Sequence, residues 1–468
     1  MNLLLITFSF PPAGGVGVLR AVSLAKYLPE NGIRVDVLTA RNAPAVGKDR
    51  TLLQQVPAAV TVHRTWTADL PFWLRKSVKK VLTRGRATAT TPVAASQNPD
   101  PQPAGKVNPI KQFIANLLLP DPQVGWLPFA LPAAKRIIRE RAIDAVVITV
   151  PPFSSVRLAT RLRKAFPGLT ILVDFRDEWL TTTLHLVSFN SNARARMVAH
   201  KAEAEAVRDA SSVVLVTEAA KKELQCRYPG LPREKFVTIP NGYDTPPPKP
   251  APAPAIEDLA PAAIKDAPAA IKNKDRITLT YTGTVYGSTA PGTFVEAIKL
   301  LPAELRARLR VRFIGHIEAA AYRQQLESLG ETIELRGFVP QAEALAAIRE
   351  TDYLLLITHD RINVAAKFYD YLGGGKPILA AVQKDGDVRR LLEETGAGHW
   401  ADIDSPEAIA AMLKEALTGT VATSQPDYER IASYHRRPLA ARYAALLKDL
   451  VAKAAAKPET SSTGRAGK

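Results

Sequence analysis

Met1-Asn-Leu-Leu-Leu-Ile-Thr-Phe-Ser-Phe10-Pro-Pro-Ala-Gly-Gly-Val-Gly-Val-Leu-Arg20 is the stretch on which the fold turns. Leu3 to Phe8 is a short apolar run, stopped by the turn residues Pro11, Pro12, Gly14 and Gly15. Arg20 to Pro29 then places Val22, Leu24, Ala25 and Leu28 on one helical face, and Val35 to Thr39 is apolar again. A strand, a glycine-rich turn, a helix and a second strand form one βαβ unit, the opening of a doubly wound parallel sheet. Met1 to Phe10 superficially resembles the apolar part of a signal peptide. It lacks a basic leader and runs straight into Pro-Pro-Ala-Gly-Gly, so a first buried strand is the better reading.

Working outward, the alternation continues through strands at Val60 to Arg64, Ala145 to Val150, Thr170 to Asp174 and Val213 to Thr217, with helices such as Ala130 to Arg141 and Ala193 to Ala210 between them. It stops at a Pro/Ala/Lys-rich stretch, 245–274, and restarts. Strands are expected at Ile277 to Tyr281, Arg310 to Ile314, Ile333 to Arg336, Tyr353 to Ile357 and Pro377 to Ala381; helices at Thr293 to Leu301, Ala319 to Leu329, Gln341 to Glu350 and Lys367 to Leu372. The expected layout is a first domain over 1–244 with a mobile insertion near 88–106, a linker over 245–274, and a second domain over 275–426. One last helix from Tyr428 to Lys453, within 427–455, packs back on the first domain, and a disordered tail covers 456–468. Two domains are also what 468 residues suggest, because one core rarely organises a chain of that length.

Composition narrows the classes. A single cysteine, Cys226, permits no intrachain disulfide and no cysteine-based zinc site, and fits a reducing cytosol. No run reaches the roughly 20 apolar residues of a membrane-crossing helix. The formal net charge of +17 asks for an anionic partner. Arg75, Lys76, Lys79, Lys80, Arg84 and Arg86 follow one another without an acid, which suits either a solvated basic helix or an anionic membrane surface. Nucleic acid is not expected: aromatics are 7% of the chain, the basic residues are dispersed beyond that helix, and no nucleic-acid module is present. The expected location is cytoplasmic, with peripheral contact at the inner membrane.

Several motifs in fixed order carry a resemblance. They are the glycine loop from Phe10 to Arg20, Pro120-Asp121 with Trp126, Pro151-Pro152, Asp174-Phe-Arg-Asp-Glu-Trp179, Ile239-Pro-Asn-Gly-Tyr-Asp244, Gly337-Phe-Val-Pro340 and Lys367-Phe-Tyr-Asp-Tyr-Leu372. Together, over nearly the whole chain, they resemble family-4 retaining glycosyltransferases, in particular the subgroup that makes bacterial surface polysaccharides. The resemblance implies an α/β fold of the GT-B type: two Rossmann-like doubly wound domains facing a cleft, with the C-terminal helix crossing back to the first. It implies transfer of a sugar, with retention, from a nucleotide-diphosphate sugar to a saccharide or lipid-linked acceptor in cell-envelope polysaccharide synthesis. The nucleotide-sugar is then a co-substrate, and no further cofactor is expected. A nucleotide-sugar epimerase or hydrolase of the same fold would use the same donor grip without an acceptor, and stands as the alternative.

The candidate residues have physical roles under that resemblance. Gly14, Gly15 and Gly17 allow positive φ and close backbone approach at a helix N-terminus, where amides can meet a phosphate or sugar; a tight βα turn without ligand is the alternative. Their spacing is not the dinucleotide G-x-G-x-x-G. Lys367 and Asp370 are three apart at a helix start and share a face: the cation suits a diphosphate, and Asp370 stands where the family carries the glutamate that grips the ribose. A surface ion pair between them is the alternative. Phe338 and Val339, after Gly337, would offer an apolar wall and backbone groups to the base; a plain αβ turn is the alternative. Asp174, Arg176, Asp177 and Trp179 follow a strand at the carboxyl edge, where Arg176 and Asp177 are catalytic candidates. Asp174 and Trp179 would bind acceptor hydroxyls and stack on a sugar, unless the set is an internal Arg–carboxylate brace.

Two departures from the family pattern matter. Ile362, not an acid, lies eight before Asp370, and Asp360 is the nearest carboxylate. Tyr281-Thr-Gly-Thr-Val-Tyr286 lacks the cations that commonly clamp the diphosphate, so phosphate contact falls on Lys367, the amides near Gly283 and Thr284, and Arg20. No metal site is expected: Asp385-Gly-Asp387 fits an Asp-x-Asp spacing by chance, and the seven histidines show no H-x-x-x-H.

Overall fold

The computed structural model describes residues 1–43, 48–68, 119–183, 193–244, 275–421 and 426–456. The basic stretch from Arg75 to Arg86, the expected insertion near 88–106, the linker 245–274 and the tail beyond 456 lie outside them.

The first sheet contains β1 (Asn2–Ile6), β2 (Arg34–Ala40), β3 (Thr61–Thr65), β4 (Ala145–Val150), β5 (Thr170–Phe175), β6 (Ser212–Leu215) and β7 (Phe236–Thr238), in the order β3-β2-β1-β4-β5-β6-β7. Pairings from β3 to β5 are parallel, with Leu3 opposite Val35 on one side and Ala145 on the other. The second sheet contains β8 (Ile277–Thr282), β9 (Leu309–Ile314), β10 (Ile333–Gly337), β11 (Tyr353–Thr358), β12 (Ile378–Val382) and β13 (Gly398–Asp402), in the order β10-β9-β8-β11-β12-β13, parallel throughout. Both follow the Rossmann order, so each reverses direction beside its first strand, at β1/β4 and at β8/β11. Ligands of open α/β sheets bind at such switch points, beyond the carboxyl ends of the strands.

Sequence explains why these strands sit centrally. β4, Ala-Val-Val-Ile-Thr-Val, is buried at every residue, as a parallel strand covered on both faces must be. In the second sheet Leu279, Tyr281, Val311 and Leu355 pack on one helical layer through Phe294, Ile298 and Leu413. Leu354, Leu356 and Ile378 pack on the other through Phe368, Leu372 and Leu391. Each large side chain so buried contributes about 1.5–3 kcal/mol.

The differences from expectation have physical reasons. The first helix spans Val16–Tyr27, starting four residues earlier than its apolar face suggested, because Gly15 at φ 104° makes the turn from which the helix starts. β7 and β13 were not anticipated: one is three residues long, the other reads Gly-His-Trp-Ala-Asp, and both are edge strands without an apolar run. The single last helix is a correction. Two helices, Tyr428–Ala432 and Arg436–Ala455, replace it. The break is used for pairing: Tyr243 N–H donates to Tyr434 O at 3.2 Å, and Arg436 N–H donates to Tyr243 O at 3.0 Å.

By internal contacts the chain forms two compact units, Met1–Val214 with Ala444–Lys468, and Leu215–Tyr443. Among the described residues no helix is long and apolar enough to cross a membrane.

Candidate functional site

At the first switch point, the loop after β1 leads into helix Val16–Tyr27. No side chain caps that helix and no acid stands in its first turn, so its N-terminal amides are available to an anion. Gly15 and Gly17 are exposed and Gly14 half-buried. Gly17 has a packing reason of its own: a Cβ there would lie 2.9 Å from Arg176 Nη1, and Arg176 donates to Gly17 O.

The charged residues around this loop are engaged with one another. Arg20 grips Asp174 with two nitrogens, Nε to Oδ2 at 2.9 Å and Nη2 to Oδ1 at 2.9 Å, and Asp174 is fully buried. Arg176 donates from Nε to Val150 O at 3.3 Å and from Nη2 to Pro151 O. Burial lowers its pKa, while Asp177 and Asp174 raise it. Trp179 is 2% exposed and stacks face to face on Phe153, with centroids 4.6 Å apart. Four of the candidates thus have internal partners. Arg20 is committed to a carboxylate rather than a phosphate; Asp174 and Arg176 brace the loops after β1, β4 and β5; and Trp179 presents no free face to a sugar. Burying two charges is costly unless each finds its partner, and these residues have found theirs internally. Asp177 alone of the set is exposed.

The second switch point is built differently. Gly283, Gly315 and Gly337 follow or end the neighbouring strands β8, β9 and β10, all with positive φ. Gly283 N–H donates to Ile314 O at 2.8 Å, and Gly315 N–H to Gly337 O at 2.7 Å, tying the strand ends together. A Cβ on Gly315 would lie 2.2 Å from Gly283 O, so only glycine allows this approach. The Gly283 amide, expected to meet phosphate, is thus engaged. Thr284 is exposed. Beyond β10, Phe338 is 81% exposed, an apolar ring without cover, beside half-buried Val339.

Lys367 and Asp370 lie on helix Ala366–Gly374, held to the sheet by Tyr371, whose hydroxyl accepts from Thr282 N–H at 2.8 Å and donates to Leu355 O at 3.2 Å. The helix has no side-chain cap and no acid in its first turn. Lys367 Nζ is buried without a hydrogen-bond partner, 3.7 Å above the centroid of the Tyr281 ring and 3.4 Å from where a Cβ on Gly283 would stand. Burial pushes its pKa down to about 7. Burial pushes the Asp370 carboxyl up to about 6, with Arg436 opposing that rise and Asp244 adding to it. Neither residue is the other's partner, which removes the surface ion pair. Asp360 is no substitute for the missing acid: its carboxylate accepts from Ile362 N–H at 2.8 Å and Asn363 N–H at 2.9 Å, closing the turn before the helix. An unpaired buried ammonium beside free helix amides can receive a phosphate, and a carboxylate one turn on can accept from hydroxyls. Sequence reading missed Tyr281, whose place in an apolar strand gave no sign of its contact with a lysine 86 positions away.

Residues 90–246 match the model of Glycosyltransferase Family 4. No curated protein matches the chain. Among solved structures, HepE of Anabaena in complex with UDP is 15% identical, with 96% of this chain and 100% of that one covered and a TM-score of 0.59. The α,α-trehalose 6-phosphate synthase of Burkholderia multivorans is 12% identical, covering 97% and 100%, with a TM-score of 0.60. WaaG, a glycosyltransferase involved in lipopolysaccharide biosynthesis, is 16% identical, covering 97% and 98%, with a TM-score of 0.53. At these identities the likeness is one of fold, and the chain has the two Rossmann-like domains of the GT-B fold.

Proposed function

We propose that the protein is a glycosyltransferase that takes a sugar from a nucleoside-diphosphate sugar and passes it, with retention, to a saccharide or lipid-linked acceptor of the cell envelope. The observation that carries the reading is the Lys367 ammonium, buried and unpaired at an uncapped helix N-terminus beside the ends of β8 and β11. Burying a charge without a partner is costly, and a diphosphate whose charge grows as the donor bond breaks is the partner that justifies it. Asp370 would accept from the ribose diol, and the exposed Phe338 would stack on the base. The folds of HepE, solved with UDP and with UDP-glucose, and of WaaG support the same reading. Charge neutralisation by Lys367 and backbone amides leads us to expect transfer that survives EDTA.

The test is a panel of nucleoside-diphosphate sugars followed by thermal unfolding, since a ligand at a hundred times its Kd adds about 2.7 kcal/mol. Turnover with an added acceptor, and the anomer formed, then decide between transfer and acceptor-free hydrolysis. No stabilisation by any member would end the reading. The basic stretch from Arg75 to Arg86 would dock on anionic lipid. Glutamine at Arg75, Lys76, Lys79 and Lys80 should then weaken vesicle sedimentation, and unchanged sedimentation would remove that part.

A further inference from the structure

We propose that Tyr281 is a positioning residue for the donor diphosphate: its ring seats the Lys367 ammonium and holds it, unpaired, where the phosphates arrive. The inference rests on the donor-binding reading of Lys367. Three contacts fix the ring. Phe313 packs on it with centroids 5.0 Å apart, its hydroxyl donates to Thr284 O at 3.0 Å, and Lys367 Nζ lies 3.7 Å from its centroid. Gly283, two residues beyond Tyr281, borders the ammonium: a Cβ there would stand 3.4 Å from Lys367 Nζ, at ordinary contact distance.

The choice of an aromatic has a chemical logic. A carboxylate under Lys367 would also hold the ammonium, but it would neutralise the charge and compete with the diphosphate. A ring face attracts a cation through its quadrupole, carries no net charge, and takes none of the ammonium's three N–H donors. The lysine is thereby ordered before binding, and none of its donors is committed to another protein group. Backbone constraint adds to this, because Tyr281 and Gly283 belong to β8 and the loop it feeds, while Lys367 belongs to the helix after β11, the two strands that flank the switch point.

The experiment compares Tyr281→Phe, Tyr281→Leu, Lys367→Met and the Tyr281→Leu/Lys367→Met double variant of the full chain. Inorganic pyrophosphate and UDP serve as probes by calorimetry, with kcat and KM for the donor and the melting temperature recorded alongside. Tyr281→Phe keeps the ring and should bind like the parent. Tyr281→Leu should weaken both probes roughly two- to tenfold, the range expected when a long side chain is ordered at binding rather than beforehand, and raise KM more than it lowers kcat. In the Lys367→Met background, Tyr281→Leu should add nothing to the binding loss, whereas a role confined to packing would lower stability in both backgrounds and leave no such dependence on Lys367. Parent-like binding by Tyr281→Leu, with Lys367→Met impaired, overturns the positioning role alone. Parent-like binding by Lys367→Met overturns the donor reading beneath it.

Discussion

The two switch points carry similar residue types and treat them in opposite ways. At the end of β1, β4 and β5, every strong charge that reaches the interior has a partner: Arg20 holds Asp174, and Arg176 is met by the carbonyls of Gly17, Val150 and Pro151. At the end of β8, Lys367 has a ring and no acceptor, and Asp370 is shifted because its surroundings disfavour its charge. Paired charges inside a protein are braces; unpaired ones are places where folding has left work for a ligand. By that criterion the second unit is poised to receive an anion. The first offers a helix terminus and the exposed Asp177.

The contrast breaks most visibly at the brace. Asp174→Ala would leave the Arg20 guanidinium buried without its carboxylate, and removing one partner of a buried pair costs about 3–5 kcal/mol. Denaturant unfolding should show that loss, with any fall in turnover following the loss of structure. A cost under about 1 kcal/mol would mean the pair is solvated, and the contrast between the regions would fail.

The opposite pattern is expected at the second site. Lys367→Met should lower kcat/KM by roughly a hundredfold to a thousandfold, the scale for losing one fixed donor to developing charge. The same change should leave the melting temperature equal or higher, because a methionine fills the space without an uncompensated buried charge. Asp370→Asn should cost less, about tenfold to a hundredfold, corresponding to about 1.5–3 kcal/mol for hydrogen bonds to a charged group. If either variant lost stability and kept its activity, the residue would be a brace like Asp174.

Much of this was legible in the sequence and some was not. The sheets announced themselves because buried parallel strands must be apolar end to end, as in β4 and β11. The edge strands β7 and β13 carried no such run. Positions three apart on a helix put Lys367 and Asp370 on one face as candidates, because side chains on one element are related by a fixed period. Whether Arg20 would face a phosphate or Asp174 was not legible, since 154 residues separate the pair and either partner satisfies the same chemistry. Trp179 failed likewise: an aromatic beside carboxylates reads as a sugar platform until Phe153 is seen against it. Local chemistry lists what a residue can do, and long-range packing selects among the possibilities.

The smallest expected effect separates Lys367 and Asp370 by pH. Lys367, at about 7 in the folded chain, lies below the roughly 10.4 of an unfolded lysine. Between those values the unfolded chain holds a proton that the folded one has lost, so this group makes stability rise with pH from about 7 upward. Asp370, at about 6, lies above the roughly 3.9 of an unfolded aspartate, so it makes stability fall as pH rises from about 4 to 6. Charge on either group therefore opposes folding, and a ligand that needs both charges must supply the compensation. A UDP-sugar, whose diphosphate diester does not titrate in this range, should bind best between about pH 6 and 7. Affinity should fall by up to tenfold per pH unit above 7, as Lys367 must take up a proton, and similarly below 6, as Asp370 must release one. Calorimetry in buffers of different ionisation enthalpy reads that proton exchange directly. Lys367→Arg, which stays charged, should flatten the alkaline limb and leave the acidic one in place. A binding constant level from pH 5 to 8.5 would show that neither charge is coupled to the donor, and would return both residues to the class of the paired braces.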